Sequence, residues 1–126
     1  MAHAEFLRQE GGDDLAVEQV KDDWRQMALS AAERAMLEYV EKLTLTPSSM
    51  TEADVQKLRD AGWSDRDILD IVHVCAYFNF RVRVVDGLGL ELTDWQITRA
   101  RAGSERAAKL AQERGVRMPS DPWRVR

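Results

Sequence analysis

The sequence predicts an all-α fold, a bundle of about five to six helices, and three observations support this. Helix-capping residues recur along the chain, and apolar residues follow them at helical spacing. Ten of the thirteen residues from Ile68 to Phe80 are apolar, and they cover every face of a helix. No segment shows the strict alternation of apolar and polar residues that predicts a half-buried strand.

Capping residues, glycines and prolines predict where each helix begins and ends. Ser30 with Glu33, and Ser64 with Asp67, have the spacing of capping boxes, and Pro47 cannot continue a helix. The predicted helices run over Leu15–Met27 after a cap at Asp13 or Asp14, from Ser30 to about Leu45, from Thr51 to Gly62, from Ser64 to Gly87 and Gly89, and from Thr93 to Gly115. An extended arm is expected after the last helix.

Composition limits the classes of partner and compartment. The chain has 22 acidic and 18 basic residues among its 126, a net charge of −4, which disfavours nucleic acid as a partner. A single cysteine excludes an internal disulfide framework and fits a reducing cytoplasm. The apolar run is too short and interrupted to span a bilayer, which needs about 20 apolar residues, so no membrane partner is expected.

The longest predicted helix also carries a polar ridge. Asn79, Arg83 and Asp86 are spaced four and then three residues apart, so they share one face of the helix. A helix that is apolar all round must be enclosed, either by its own chain or by a partner subunit. We therefore predict that Arg83 is buried and paired with Asp86, or with Glu38 or Glu41, and that the ridge is structural.

A large part of the chain is similar to one family. The matching residues are Leu29-Ser30, Glu33, Ala35-Met36-Leu37, Lys42-Leu43-Thr44, Asp54-Val55, Leu58-Arg59, Ala61-Gly62 and Ser64 to Leu92. In this order they resemble the AhpD-like alkylhydroperoxidases of the carboxymuconolactone decarboxylase superfamily, in the peroxidase-related branch. One departure is Val82, where the family has a second asparagine. The resemblance implies that residues 1–92 are the C-terminal portion of an AhpD-like helical domain, followed by a C-terminal helix and arm over 93–126.

The resemblance also implies a redox chemistry that this sequence carries only in part. Family members use a Cys-x-x-Cys pair and a histidine separated from the second cysteine by three residues, Cys-x-x-Cys-x-x-x-His, and the histidine acts as a proton relay. Aligned on Phe6-Leu7-Arg8, His3 falls on the relay histidine, and Met1 falls two positions after the second cysteine. We expect the chain to start inside the motif. Either the reading frame was assigned from an internal Met, or the protein is a truncated relative that has lost the chemistry. The alternative is that His3 is an ordinary terminal residue.

The remaining candidate residues favour structural roles. Cys75 lies among Val74, Ala76 and Phe78, which predicts a small buried side chain rather than a nucleophile. His73 is predicted to be a satisfied core or interface histidine. The sequence contains no metal-ligand spacing, phosphate-binding loop or nucleophile elbow, and no cofactor is expected.

Two classes of function follow from these observations. The first is an antioxidant oxidoreductase for thiol-dependent peroxide reduction. Without the Cys-x-x-Cys, these 126 residues are expected to be inactive. A thiol reductant protein is expected as a partner only if a Cys-x-x-Cys lies upstream. The alternative is a non-catalytic interaction module of the ubiquitin-associated or helix-turn-helix type, suggested by Leu58 to Ser64 before an apolar helix. The apolar helix and four tryptophans predict a homo-oligomer, a dimer or larger.

Overall fold

A computed structural model of the protein describes residues 13–117. This part of the chain is all-helical, as predicted, and contains no strand. Its five α-helices are α1 (Asp14–Asp23), α2 (Ala31–Leu45), α3 (Glu52–Asp60), α4 (Asp65–Gly87) and α5 (Asp94–Arg114), with short 3-10 turns at Trp24–Gln26 and Pro47–Ser49. The chain divides into two compact units, residues 28–90 and a second unit formed by the segments on either side.

Most helices begin and end where the local sequence predicts; α1 is the exception, since it ends at Asp23, four residues before the predicted end at Met27, and a 3-10 turn follows. Ser30, Thr51, Ser64 and Thr93 each form a capping box with the residue three positions later. Each box satisfies two backbone N–H groups that the first helical turn leaves without a partner. Gly115 ends α5 with a φ of +63°, a conformation that costs glycine little because it has no Cβ.

The unit of residues 28–90 is built from α2, α3 and α4. Tyr39, Leu58 and Ile68, one from each helix, form its buried centre, and Leu58 is completely inaccessible to solvent. Half-buried apolar side chains surround them, namely Ala35, Met36, Leu43, Met50, Val55, Trp63, Ile71 and Val72. The three helices are therefore joined by one small apolar core.

A tryptophan fixes how α2 and α4 are aligned. The indole Nε1 of Trp63, just before α4, donates a hydrogen bond of 2.9 Å to the carbonyl of Ala32 at the start of α2. Near the end of α2, Asn79 Nδ2 donates to Thr44 Oγ1 at 3.1 Å. The two helices thus run in the same direction with their beginnings side by side, and α3 returns between them.

The other unit packs α1 against α5. Leu15, Val17 and Glu18 are buried on α1, and α5 contributes the small buried residues Gly103, Ala107 and Ala111, which let the two helices approach closely. Ion pairs from Arg106 to Asp14 and from Arg114 to Asp13 join the same helices. Along residues 13–117, no helix combines the length and the apolar character needed to cross a bilayer.

The prediction that the long helix is enclosed is not met by this chain itself. Ile68 and Cys75 on α4 are buried, whereas every residue from Phe80 to Leu90 is exposed. Several large apolar side chains of α4 are about half exposed or more: Leu69, Val74, Tyr77, Phe80 and Val82. The cause is that α2 ends at Leu45, beside Asn79, so nothing in residues 28–90 covers the remainder of α4.

An ion pair ties α2 to α3. Lys42 Nζ lies 2.8 and 2.7 Å from the two carboxylate oxygens of Asp54, which also accepts a hydrogen bond from the backbone N–H of Thr51. The hydrogen bond from Lys42, with that from Thr51, lowers the pKa of Asp54 from 3.8 to about 2. Asp54 therefore serves both as part of a helix cap and as a link between helices.

Replacing Asp54 with Asn should destabilise the protein in a pH-dependent way. Because the pKa of Asp54 is lower in the folded chain, its contribution is fully present above pH 3.8 and is lost as the pH falls towards about 2. Urea unfolding of the wild type and of Asp54→Asn should differ clearly at pH 6, and the difference should shrink between pH 4 and pH 2. Asp60→Asn, an exposed carboxylate on the same helix, is the control. An Asp54→Asn effect that stays constant over this range would contradict the assignment.

Candidate functional site

A groove of about 560 Å³ lies between α2 and α4, within the unit of residues 28–90. Its walls are mostly apolar, although Asp67 and Asp70 are among the residues that line it. The lining residues are Met36, Val40, Thr44, Trp63, Asp67, Asp70, Ile71, Val74, Cys75, Phe78 and Asn79. The groove is the concave surface that the α2–α4 pair presents, with a few polar atoms at one end.

The cysteine of the chain lies in the wall of this groove and is held by polar neighbours. Cys75 is 6% exposed, and its Sγ lies 3.5 Å from Thr44 Oγ1. Asn79 Nδ2 donates to the same sulfur at 3.4 Å, and the sulfur is 3.9 Å from the carbonyl of Val40. The prediction of a buried Cys75 is confirmed, with the addition that the thiol belongs to a hydrogen-bonded contact between two helices.

Asn79 organises the polar end of the groove. Its Nδ2 donates to Thr44 Oγ1 at 3.1 Å and to the carbonyl of Cys75 at 3.0 Å, and its Oδ1 accepts from Arg83 Nη1 at 3.0 Å. The sequence indicated Asn79 but not Thr44, because Thr44 becomes its neighbour only through the parallel alignment of α2 and α4. Local spacing carries no signal for such a contact.

The polar ridge forms only in part. Arg83 reaches back one turn to the carbonyl and side chain of Asn79, but Arg83 and Asp86 are both exposed. Within residues 13–117, no carboxylate lies within ion-pair distance of Arg83, so Asp86, Glu38 and Glu41 are not its partners here. Within residues 28–90, α2 ends before Arg83, so water can solvate the guanidinium. Burial of Arg83 by a partner subunit stays a prediction.

The histidines do not join the groove. His73 lies on the exposed side of α4 and makes no hydrogen bond to any residue that the structure describes, so it is not a core histidine in this chain. His3, the predicted relay histidine, lies outside the described residues. Within residues 13–117, no three His, Cys, Asp or Glu side chains cluster closely enough to hold a metal ion.

This geometry supports binding and packing better than covalent chemistry. A reactive thiol needs access to solvent and an electropositive neighbour that favours the thiolate. Cys75 is buried, its polar contacts are a hydroxyl, a carboxamide and a carbonyl, and no second cysteine exists in the sequence to resolve an oxidised sulfur. Cys75, Thr44 and Asn79 therefore act together as a structural contact.

No protein-family model and no curated protein matches this sequence. Among solved structures, the chain is similar to an uncharacterized peroxidase-related protein from Silicibacter sp. TM1040, with 34% sequence identity and a TM-score of 0.69. The match covers 74% of this chain and 49% of that protein, so the chain spans about half the length of the structure it matches. The similarity fits the peroxidase-related branch that the sequence indicated.

Cys75 should react slowly with alkylating reagents in the folded protein. Its burial requires a local opening before attack, so iodoacetamide should modify it about 100-fold more slowly in buffer than in urea. Mass spectrometry of quenched samples gives both rates. The control is a Cys75→Ser chain with Ser48→Cys, which places a thiol at an exposed position and should show little protection. Equal protection at the two sites, or none at Cys75, would contradict the buried position.

Arg83→Ala should change the free energy of unfolding by less than about 0.5 kcal/mol, as expected for an exposed side chain outside the core. Leu58→Ala, at a completely buried position, should cost about 2–5 kcal/mol by contrast. Chemical denaturation at neutral pH measures both. A loss for Arg83→Ala as large as that for Leu58→Ala would show that Arg83 is buried in the assembled protein, as the sequence first suggested.

Proposed function

We propose that this chain belongs to the AhpD-like, peroxidase-related family, whose members carry out thiol-dependent peroxide reduction, and that its residues provide helical scaffold rather than the reacting thiols. The observation that carries the proposal is the 34% identity, over 74% of the chain, with a peroxidase-related protein of similar structure. Residues 28–90, which contain most of the segment that resembles the family in sequence, fold as one unit with a single core.

The scaffold role rests on the thiol chemistry. Peroxide reduction by thiols forms a sulfenic acid, which a second, neighbouring thiol must resolve as a disulfide. The 126 residues contain one cysteine, and it is buried in contact with Thr44 and Asn79. In the family this step belongs to a Cys-x-x-Cys pair and a relay histidine, a role that His3 would take by resemblance alone. A thiol reductant protein would be the partner of such a pair, in the cytoplasm.

The alternative of a nucleic-acid or ubiquitin-binding module has less support. A helix-turn-helix reader would place the start of α4 against phosphates, but the arginines there are already paired with acids, Arg59 with Asp65 at 2.7 Å and Arg66 with Asp70 at 3.5 Å. Acidic side chains repel a phosphate backbone, whereas readers of nucleic acid present arginine and lysine. No observation on this unit favours the module over the oxidoreductase family.

The 126-residue chain should show no peroxidase turnover. With tert-butyl hydroperoxide as oxidant and dithiothreitol as donor, its rate should equal the uncatalysed rate, because Cys75 is buried and has no resolving partner. Peroxide consumption is measured directly, and Cys75→Ser is the matched variant. Turnover that disappears in Cys75→Ser would show that Cys75 is the redox centre and would refute the scaffold role.

A thiol count separates membership of a thiol oxidoreductase from a purely structural protein. The protein isolated from its source is fully reduced, freed of the reductant, unfolded in denaturant and titrated with a disulfide reagent. Three thiols per chain would support a peroxidase that carries the Cys-x-x-Cys in addition to Cys75. One thiol per chain would mean that this relative has no peroxide chemistry of its own.

A further inference from the structure

The groove between α2 and α4 has an apolar wall that is open to solvent. Met36 and Val40 on α2, with Ile71, Val74 and Phe78 on α4, supply most of this wall. Val74 is 58% exposed, so the apolar surface inside the groove is accessible from outside. An accessible apolar concavity of about 560 Å³ has the size and character of a site for a small ligand.

Arg83 lies at the polar end of this groove. Asn79 lines the groove, and Arg83 Nη1 donates to the carbonyl and to Oδ1 of Asn79, at 3.0 Å each. On the other side, α2 ends at Leu45, directly after Thr44, the groove residue that Asn79 contacts. The guanidinium is exposed there, within one side chain of the apolar wall.

The guanidinium of Arg83 keeps two donors for a ligand. Both of its hydrogen bonds use Nη1, so Nε and Nη2 have no partner within residues 13–117. Nε and Nη2 lie on one edge of the guanidinium plane, and together they can bind the two oxygens of a carboxylate. Asp86, further along α4, is outside ion-pair distance. Because Asn79 already holds the guanidinium in place, a carboxylate can bind it with a small loss of side-chain entropy.

The charges along α4 give the groove a direction. Asp67 and Asp70 line it near the start of α4, and Asp70 is compensated by Arg66 at 3.5 Å. Hydrogen bonds from Ser64 lower the pKa of Asp67, which therefore stays ionised. Asp67 and Arg83 are about 24 Å apart along the helix axis. An anionic group is therefore repelled from the first end of the groove and attracted to the second.

The apolar wall sets the length of the rest of the ligand. Ile71 precedes Asn79 by eight residues, which correspond to about 12 Å along α4. The extended alkyl chain of decanoate has this length, and it would cover the apolar surface that is now in contact with water. The ligand that fits both the wall and the free guanidinium edge is therefore an apolar chain that ends in a carboxylate.

We propose that this groove binds a free monocarboxylate with an unbranched apolar tail, of the size of decanoate. The carboxylate accepts hydrogen bonds from Nε and Nη2 of Arg83, and the tail lies along Val40, Val74 and Phe78. Binding is reversible, and Cys75 takes no part in it beyond its place in the wall. The inference goes beyond the proposed family membership and does not depend on peroxide chemistry.

Isothermal titration calorimetry of the full chain with decanoate tests the head-group contact. The wild type should bind with a Kd on the order of 100 µM, as expected for a ligand of this size. Arg83→Ala should weaken binding about 20-fold, because it removes a charge-assisted, bidentate contact. Arg81→Ala is the matched control, since it removes the same charge from the same helix. Arg81 lies over the ring of Tyr77, outside the groove, so its loss should weaken binding less than about twofold.

A second pair of variants tests the position of the tail. Val74→Glu places a carboxylate in the apolar wall and should weaken decanoate binding by at least about tenfold. Val82→Glu is the control, because Val82 is 53% exposed on the same helix but does not line the groove. Val82 is closer to Arg83 in the helix than Val74 is, so an effect of added charge alone would be larger at Val82. The expected loss for Val82→Glu is below about threefold.

A ligand of opposite charge completes the test. Decyltrimethylammonium has the same tail as decanoate, and it should bind the wild type at least about tenfold more weakly and lose nothing further in Arg83→Ala. Circular dichroism checks that each variant keeps its helices. Absence of decanoate binding, equal losses in Arg83→Ala and Arg81→Ala, equal losses in the two valine variants, or a cation that binds as tightly as decanoate would overturn the proposal.

Discussion

The length difference between α2 and α4 determines most of what is distinctive in this protein. α2 has 15 residues and α4 has 23, which correspond to about 22 Å and 34 Å. The hydrogen bond from Trp63 to the carbonyl of Ala32 aligns their first turns. The last part of α4 therefore extends beyond its neighbour, and its apolar side chains lie in water unless another surface covers them.

Predictions from sequence succeeded where the signal lies in neighbouring residues and failed where it depends on tertiary packing. Helix ends were predicted well because a capping box involves residues only three apart, as at Ser30 and Ser64, so the signal is local. The surroundings of Arg83 could not be predicted in the same way, because an apolar pattern on every face indicates that a helix is covered, but not by which surface. The contact of Thr44 with Cys75 and Asn79 could not be predicted, since it depends on the tertiary alignment of two helices.

The contact among Thr44, Cys75 and Asn79 lies where the covered part of α4 ends. There, Asn79 Nδ2 donates hydrogen bonds to the side chain of Thr44 on α2 and to the backbone carbonyl of Cys75 on its own helix. Its Oδ1 accepts a hydrogen bond from Arg83, which lies on the exposed side. The Asn79 carboxamide at this boundary has its hydrogen bonds satisfied by the protein, while the Arg83 guanidinium bonded to it stays in contact with water. Cys75 has a structural role in this contact as a small buried side chain, since its burial prevents the solvent access that thiol redox chemistry requires.

An apolar pattern on every face of α4 is expected if the helix has two partners, and unexpected if it has one. A helix that packs on one side alone keeps polar residues on the other, because exposed apolar side chains gain nothing from folding and promote aggregation. Phe80 and Val84, which residues 28–90 leave exposed, are as apolar as Ile68 and Val72, which pack in the core of that unit. The sequence of α4 therefore predicts a second covering surface in addition to the one that α2 and α3 supply.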